Sequence, residues 1–340
     1  MKQKAFVALL AVAAFALSAC GHHEGPRPGQ LKLGMVTDVG GLGDKSFNDS
    51  AHTGLLKAQA DLDAYIQVLQ SRSAADYQPN LNALSIQKYD MIYAIGFLMS
   101  KDLDQVAKQN PTQNYAIIDA VVPDPNVISV TFQEEDGSFL AGALAALVSK
   151  THHIAFIGGQ DIPLLRKFEA GYVAGAHEID PKTEVDVKYA NSFDDVAAGK
   201  ELANVLYQSG ADIVYAAAGK AGLGAIDAAT ARPGSYIIGV DANQDSLAPG
   251  IILTSMVKHV DVAVYDIAMD IKEHKLPRGR HVVLGLKDNA IGLTDFRYTK
   301  AKIGAANIAR VNALRQAIID GKIVVPATRE ALATFQPVKI

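Results

Sequence analysis

The chain has 340 residues, of which 49% are hydrophobic and 20% are charged, with 36 acidic against 32 basic side chains and a single cysteine. The formal net charge of −4 argues against a nucleic-acid partner, and one cysteine excludes an internal disulfide. The length is sufficient for two lobes, each with its own apolar core.

Residues 1–19 have the features of an export signal. Lys2 and Lys4 precede an apolar run at 6–17 that is too short to span a bilayer comfortably. The pattern therefore predicts a cleaved signal peptide over 1–19 rather than a membrane anchor.

The sequence Leu-Ser-Ala-Cys that ends at Cys20 resembles the lipobox of bacterial lipoproteins. We expect cleavage before Cys20, lipidation of its thiol and a flexible tether over residues 20–30. The protein would then face outside the cytoplasm in the cell envelope, held to a membrane by lipid. The alternative is a leader removed by the ordinary signal peptidase, with Cys20 an incidental thiol.

From residue 31 onward, short β-rich runs alternate with amphipathic stretches. The runs predict strands at 31–37, 66–70, 91–96, 115–119, 127–131, 154–158, 184–190, 212–219, 236–241, 251–256 and 282–286. The stretches between them predict helices at 46–63, 76–88, 98–110, 137–150, 164–179, 196–209, 220–231, 260–274 and 301–320. Two successive sets of this kind favour two doubly wound α/β lobes with parallel sheets.

Ligands bind doubly wound sheets at the carboxyl ends of the strands. The ends of the predicted strands carry Asp38, the pair Gly96-Phe97, Asp119, Gly219 and Asp241, and Phe193 follows a strand closely. An aspartate at such a place also serves as a helix cap. Three aspartates together with loop phenylalanines favour a small-molecule cleft over capping alone.

The segment VTDVGGLGDKSFNDSAHTGL at 36–55 resembles the first strand and loop of the basic membrane protein family, the purine-nucleoside-binding lipoproteins of ABC transporters. Further segments fit that family in the same order, at 116–119, 132–150, 156–176, 191–203, 216–229, 239–245, 256–268, 285–295 and 320–326. The resemblance covers nearly the whole chain after residue 30. His52 departs from it, because the family has a large aromatic side chain at this place in the first helix.

The resemblance implies a type I periplasmic-binding-protein fold, with two lobes joined by three hinge crossings. The crossings are expected near 131–134, 253–257 and 286–292. Lobe one would then comprise 31–132 plus 256–288, and lobe two 133–255 plus 289–340.

The resemblance also implies how a purine base would be held. Phe47 would stack on one face of the base, and Phe193 is the candidate for the other face. Asp38, Asn48 and Asp119 would read the polar edge of the base. Carboxylates accept hydrogen bonds only, so they favour a ligand with N–H donors, such as guanosine, inosine or adenosine.

The sugar would be held by a second group of residues. The resemblance assigns the ribose hydroxyls to Asp241 and Lys258, one an acceptor and the other a donor, whose opposite charges lower the cost of burial. Gly219 would let the backbone approach the ligand. The expected protein is a monomeric receptor that requires no cofactor and delivers its nucleoside to an ABC transporter permease.

Other function classes lack support in the sequence. The segment GKAGLG at 219–224 lacks the spacing of a phosphate-binding loop, and no hydrolase motif is found, so no enzyme is expected. No metal site is expected either, because the adjacent histidines of the pairs 22–23 and 152–153 point in different directions. The runner-up is a sugar-binding protein or sensor of the same fold, although the chain has no tryptophan to flank a sugar.

Overall fold

The computed structural model describes residues 25–275 and 279–338. The predicted signal peptide at 1–19, Cys20 and the pair His22-His23 lie outside these ranges. Within them, no helix combines the length and the apolar character needed to cross a bilayer.

The strands agree closely with the sequence pattern. They are β1 (Lys32–Thr37), β2 (Tyr65–Gln70), β3 (Met91–Ile95), β4 (Tyr115–Ile118), β5 (Val127–Phe132), β6 (His153–Gly158), β7 (Glu184–Tyr189), β8 (Ile213–Ala217), β9 (Tyr236–Asp241), β10 (Ile252–Lys258), β11 (His281–Leu284) and β12 (Ile291–Leu293). All the predicted strands are confirmed. The pattern missed β12, because three residues are too few to show a period.

The amphipathic stretches predict the helices except at the C-terminal end. The helices are α1 (Phe47–Leu62), α2 (Tyr77–Ile86), α3 (Ser100–Gln109), α4 (Glu134–Val148), α5 (Pro163–Ile179), α6 (Val196–Ser209), α7 (Ala221–Thr230), α8 (Val260–Lys272), α9 (Lys300–Ile303), α10 (Ala305–Ile319) and α11 (Arg329–Leu332). The stretch at 301–320 is divided into α9 and α10 at Gly304, and the short helix α11 was not predicted. Short 3₁₀ turns precede α2 and α3, at Ala74–Asp76 and Phe97–Met99.

The strands form two six-stranded sheets with the same topology. The first has the order β2-β1-β3-β4-β5-β11, and the second has the order β7-β6-β8-β9-β10-β12. Every pairing is parallel except that of β10 with β12. The expected pair of doubly wound α/β lobes is therefore confirmed.

The chain passes between the sheets three times. It crosses from β5 to α4, from β10 to α8, and from β11 to β12. The second crossing lies at 258–260 rather than at the expected 253–257. The reason is that β10 keeps its pairing with β12 as far as Lys258, opposite Ile291, so residues 256–258 belong to the second sheet.

The folded part of the chain begins slightly before residue 31. The side chain of Gln30 donates to the Asp63 carbonyl at 2.9 Å, and the Arg27 guanidinium pairs with the Asp63 carboxylate. The end of the predicted tether is thus attached to the C-terminal end of α1.

Glycine residues allow helices α4 and α5 to pack closely against each other. A Cβ atom at Gly142, Gly171 or Gly175 would collide with a backbone carbonyl of the facing helix. The two backbones approach so closely only because these residues have no side chain. This packing fixes the N-terminal ends of both helices, which stand beside the carboxyl ends of the strands.

Candidate functional site

Both sheets have a topological switch point, where the strand order reverses. In the first sheet it lies between β1 and β3, and in the second between β6 and β8. Open α/β sheets bind ligands in the crevice outside the strand carboxyl ends at such a point. A cavity lies there, with walls from both sheets.

All eight predicted binding residues line this one cavity. They are Asp38, Phe47, Asn48, Asp119, Phe193, Gly219, Asp241 and Lys258. The structure therefore brings together side chains that are as far as 220 positions apart in the sequence, from Asp38 to Lys258. Their role in binding a ligand stays a prediction.

The cavity has an apolar wall that the sequence pattern predicted only in part. Phe47 and Phe193 belong to it, as expected. Phe97, which the sequence places at a strand end, also lines the cavity. The rest of the apolar lining was not predicted and includes Leu98, Ile162, Leu164, Leu165 and Phe168. In sequence, the residues of 162–168 look like ordinary helix-core positions.

Phe193 is held in place by two glycines of the second sheet. A Cβ atom at Gly159 would lie 2.3 Å from two carbons of the Phe193 ring, so the ring keeps this position only beside a glycine. Gly219 has a φ of 55°, and a Cβ atom on it would stand 3.2 Å from the Phe193 carbonyl oxygen. That carbonyl accepts from the Ala221 N–H at 3.1 Å, at the start of α7. Gly219 thus makes room for the Phe193 loop as well as for the cavity.

At one end of the cavity, Asp38 and Asn48 are hydrogen-bonded to each other. Asp38 Oδ1 accepts from Asn48 Nδ2 at 2.8 Å and from the Gly40 N–H at 2.9 Å. Burial outweighs these bonds and raises the pKa of Asp38 to about 6. The Asp38 carboxyl group therefore titrates close to neutral pH.

Asp44 is a cavity residue that was not predicted. Its carboxylate accepts from the N–H groups of Ser46, Asn48 and Asp49, at 2.8 to 3.0 Å, and so caps the N-terminus of α1. It also accepts from Asn48 Nδ2 at 3.1 Å. Asp44 fixes the turn that presents Phe47 and Asn48 to the cavity.

Lys258 lies at the centre of a cluster of carboxylates. Its Nζ is 2.6 Å from Asp119 Oδ2, 3.6 Å from Asp241 Oδ1 and 3.8 Å from Glu134 Oε1. The side chain is 2% exposed. Burial works against its charge, but the three carboxylates outweigh burial and raise the pKa of Lys258. The lysine stays protonated, and its hydrogen-bonded partner is Asp119 rather than the expected Asp241.

The same ammonium group lies near aromatic rings. Its Nζ is 4.8 Å from the centroid of the Phe47 ring, 5.4 Å from that of Phe132 and 5.5 Å from that of Phe168. Contacts of this length are within the range of cation–π attraction. They bring the charge of Lys258 close to the apolar wall.

Asp241 is bonded across the two sheets. Its Oδ2 accepts from Ser46 Oγ at 2.8 Å, and this hydroxyl belongs to the loop before α1. Nearby, Gln244 Nε2 donates to the Lys45 carbonyl at 3.0 Å. These bonds join the first lobe to the second at the edge of the cavity.

Three acceptor atoms of the cavity lack a hydrogen-bond partner among the described residues. They are Asn48 Oδ1, Asp119 Oδ1 and Asp241 Oδ1, and all are buried. Buried polar atoms are nearly always bonded, so their lack of partners favours a ligand that donates hydrogen bonds. Because the surrounding groups are mostly carboxylates, a neutral ligand fits better than an anion.

Glu134 and Lys167 form a second buried ion pair at the first crossing, which the sequence pattern did not predict. Lys167 Nζ is 2.6 Å from Glu134 Oε2 and donates to the Phe132 carbonyl at 2.6 Å. Burial raises the pKa of Glu134 to about 7, although both lysines nearby favour its charged form. The pair ties α5 to the end of β5, where the chain crosses between the lobes.

Two α/β lobes that enclose a small cavity at their switch points are typical of solute-binding proteins. The chain belongs to the Bmp family of such proteins, because the family model, described as ABC transporter substrate-binding protein PnrA-like, matches residues 31–329. It is therefore an ABC transporter substrate-binding protein with a type I periplasmic-binding-protein fold, and proteins of this class bind solutes without being enzymes.

Curated relatives agree with this family. The chain is 36% identical to the ABC transporter nucleoside-binding protein BmpA of Lactococcus lactis, over 94% of this chain and 97% of the relative. It is 35% identical to basic membrane protein B of Borrelia garinii, over 90% of each chain. The resemblance to the basic membrane protein family is confirmed.

A solved structure supports the fold. The solute-binding protein of an ABC transporter system from Aeropyrum pernix is similar, with a TM-score of 0.81 and 30% sequence identity. The match covers 89% of this chain and 96% of that protein.

Proposed function

We propose that this protein binds a purine nucleoside in the cavity between its lobes and delivers it to the permease of an ABC importer. The observation that carries the proposal is the joint presence of an apolar aromatic wall and three unpartnered acceptors in one cavity. The name of the Lactococcus lactis relative as a nucleoside-binding protein supports the same ligand class.

The two halves of the cavity suit the two halves of a nucleoside. A purine has flat, apolar faces, and stacking on an aromatic ring contributes about 1–3 kcal/mol per base. Phe47 and Phe193 would supply that contact. Asp38, Asn48 and Asp119 would accept from the N–H groups of the base edge.

The ribose would lie beside Lys258 and Asp241. Lys258 is already bonded to Asp119, so it would donate to a ribose hydroxyl without losing all its internal partners. Asp241 keeps one oxygen on Ser46 and presents the other, Oδ1, without a hydrogen bond. A hydroxyl donor would satisfy that oxygen. Gly219 would border the ligand through its backbone.

Residues of both lobes would contact the same ligand. A ligand shifts the equilibrium toward the closed state only by the contacts that exist in that state. Phe47 and Asp38 belong to the first lobe, whereas Phe193 and Asp241 belong to the second. The closed, loaded protein would be the form that the permease recognises.

A panel of ligands tests the proposal. Guanosine, inosine, adenosine, free bases, pentoses and hexoses are added separately to the purified protein, and thermal unfolding is followed. A ligand at 100 times its dissociation constant adds about 2.7 kcal/mol of stability. Stabilisation by a purine nucleoside supports the proposal. Stabilisation by ribose or a hexose alone contradicts it and favours the sugar-binding alternative.

We further propose that lipid on Cys20 holds the protein to the cell envelope, facing outside the cytoplasm. The support is the resemblance of the Leu-Ser-Ala-Cys sequence to a lipobox after a signal-like run. Incorporation of radiolabelled palmitate into the protein in its host tests this. Label in the natural protein and none in a Cys20→Ser variant is expected; equal label in both contradicts lipidation at this residue.

A further inference from the structure

The adjacent residues His152 and His153 make different contacts in the structure. The two side chains diverge: His152 Nδ1 lies 3.8 Å from Asp180, while His153 contacts the edge strand β7. At this strand, His153 lies near two carboxylate groups, those of Glu184 and Asp186. The divergence of adjacent histidines excludes a site made of the pair, but it does not exclude one made by His153 with other residues.

Strand register brings His153 next to Glu184 and Asp186. His153 opens β6 and pairs with Glu184, the first residue of β7, and Asp186 stands two residues further along the same face. His153 Nε2 is 3.1 Å from Asp186 Oδ2, and His153 Nδ1 is 4.0 Å from Glu184 Oε2. One ligand atom from each of the three residues lies within 4.8 Å of the others.

The surroundings hold two of the three side chains in place. Asp186 Oδ2 also accepts from Ser209 Oγ at 3.2 Å, which orients the carboxylate. The His153 side chain is only 11% exposed, and a Cβ atom at Gly210 would stand 3.2 Å from its Nδ1. The Glu184 side chain is 69% exposed and is free to change rotamer.

We propose that His153, Glu184 and Asp186 form a binding site for one divalent transition-metal ion of the Zn²⁺ type. One imidazole nitrogen and two carboxylate oxygens suit Zn²⁺, with bonds of about 2.0–2.2 Å and a further position for water. Tetrahedral geometry at such bond lengths separates the ligand atoms by about 3.4 Å. The ion would bind Nε2, the His153 nitrogen beside Asp186, so the exposed Glu184 carboxylate, which now lies nearest Nδ1, has to move toward Nε2 by a change of rotamer.

The site lies at the end of the second sheet that faces away from the nucleoside cavity. His153 begins β6, whereas Gly158, its last residue, pairs with Ala217 of the cavity lining; the five steps between them span about 17 Å. An ion bound here would join the edge strand β7 to β6 and stabilise the second lobe. It would act independently of ligand binding in the cavity.

Isothermal titration with ZnCl₂ and thermal unfolding test the proposal. The purified full chain, without an affinity tag, carries His22→Ala and His23→Ala so that the N-terminal pair does not bind the ion. We expect one equivalent of Zn²⁺ to bind and to raise the Tm. His153→Ala and Glu184→Gln should each weaken binding at least tenfold. Because Glu184 is exposed, its variant should fold normally.

A matched control is Asp180→Asn, which removes the carboxylate that faces the other histidine, His152. Its Zn²⁺ affinity should equal that of the background protein. The proposal is overturned if Zn²⁺ shows no saturable binding. It is equally overturned if the His153→Ala and Glu184→Gln variants bind as tightly as the Asp180→Asn control.

Discussion

Asp38→Asn should stabilise the ligand-free protein and at the same time weaken nucleoside binding. Burial raises the pKa of the Asp38 carboxyl from 3.8 to about 6. Between these pH values the folded state binds more protons than the unfolded state, so stability falls as the pH rises through this window. Two pKa units correspond to roughly 3 kcal/mol of cost at pH 7, which the neutral asparagine avoids. Below about pH 4 the two proteins should differ little.

Ligand binding should depend on pH in the opposite direction. If N–H donors of the base bind the ionised carboxylate, affinity tracks the ionised fraction of Asp38. With a pKa of about 6, this fraction falls about tenfold between pH 7 and pH 5. Titration calorimetry with guanosine at several pH values should show this loss. In Asp38→Asn the affinity should be low and nearly independent of pH over the same range.

Asp136→Asn is the matched control for this experiment. Burial raises the pKa of Asp136 to about 7, but this residue does not line the cavity. The Asp136→Asn variant should therefore change the pH dependence of folding stability, while nucleoside binding should keep the pH dependence seen in the natural protein. The reasoning about Asp38 is refuted if affinity in the natural protein stays constant from pH 7 to pH 5, or if Asp38→Asn keeps the natural slope.

Three further predictions concern the aromatic wall and the ribose end of the cavity. Asp241→Asn should weaken nucleoside binding about ten- to hundredfold, since a hydrogen bond to a charged acceptor contributes about 1.5–3 kcal/mol. Asp245→Asn is the control for this change. Asp245 is a buried carboxylate that accepts a hydrogen bond from Ser255 Oγ outside the cavity, so its replacement should leave the calorimetric affinity unaltered. Phe47→Ala should weaken guanosine, inosine and adenosine alike, by about 1–3 kcal/mol, and a loss confined to one base would contradict stacking. Lys258→Met should destabilise the fold by about 3–5 kcal/mol at pH 7 in denaturant unfolding, because Asp119 and its neighbours lose their cation; an unchanged midpoint would show that they do not need it.

The fold could be predicted from the sequence because both of its signals are local. A run of β-branched and apolar residues identifies a strand buried on both faces, and an amphipathic stretch identifies the helix that covers it. Register and partner choice are not local. The second crossing was therefore placed too early, inside β10, since nothing in residues 252–258 shows that the strand continues to pair with β12.

The cavity residues divide in the same way. Asp38, Asp119 and Asp241 could be found because they follow strands, where topology brings side chains together. Ile162 and Leu164 could not, because apolar residues at the start of α5 look like core positions until the lobes face each other. Asp44 appears in sequence as one more loop aspartate, and only its three backbone contacts show that it shapes the turn.

Asp119 and Asp241, two of the carboxylates near Lys258, have the same hydrogen-bonding arrangement. Asp119 Oδ2 accepts from Lys258 and Asp241 Oδ2 accepts from Ser46, while Oδ1 of each lacks a hydrogen-bond partner within the part of the chain that the structure describes. In each side chain, one oxygen fixes the orientation of the group, and the other is buried and free to accept a hydrogen bond. In the proposed function, a donor ligand would bind without first ordering these groups, which would reduce the entropic cost of association. The same internal bonds would make the site selective, because each carboxylate is held where it must accept a hydrogen bond or remain unsatisfied.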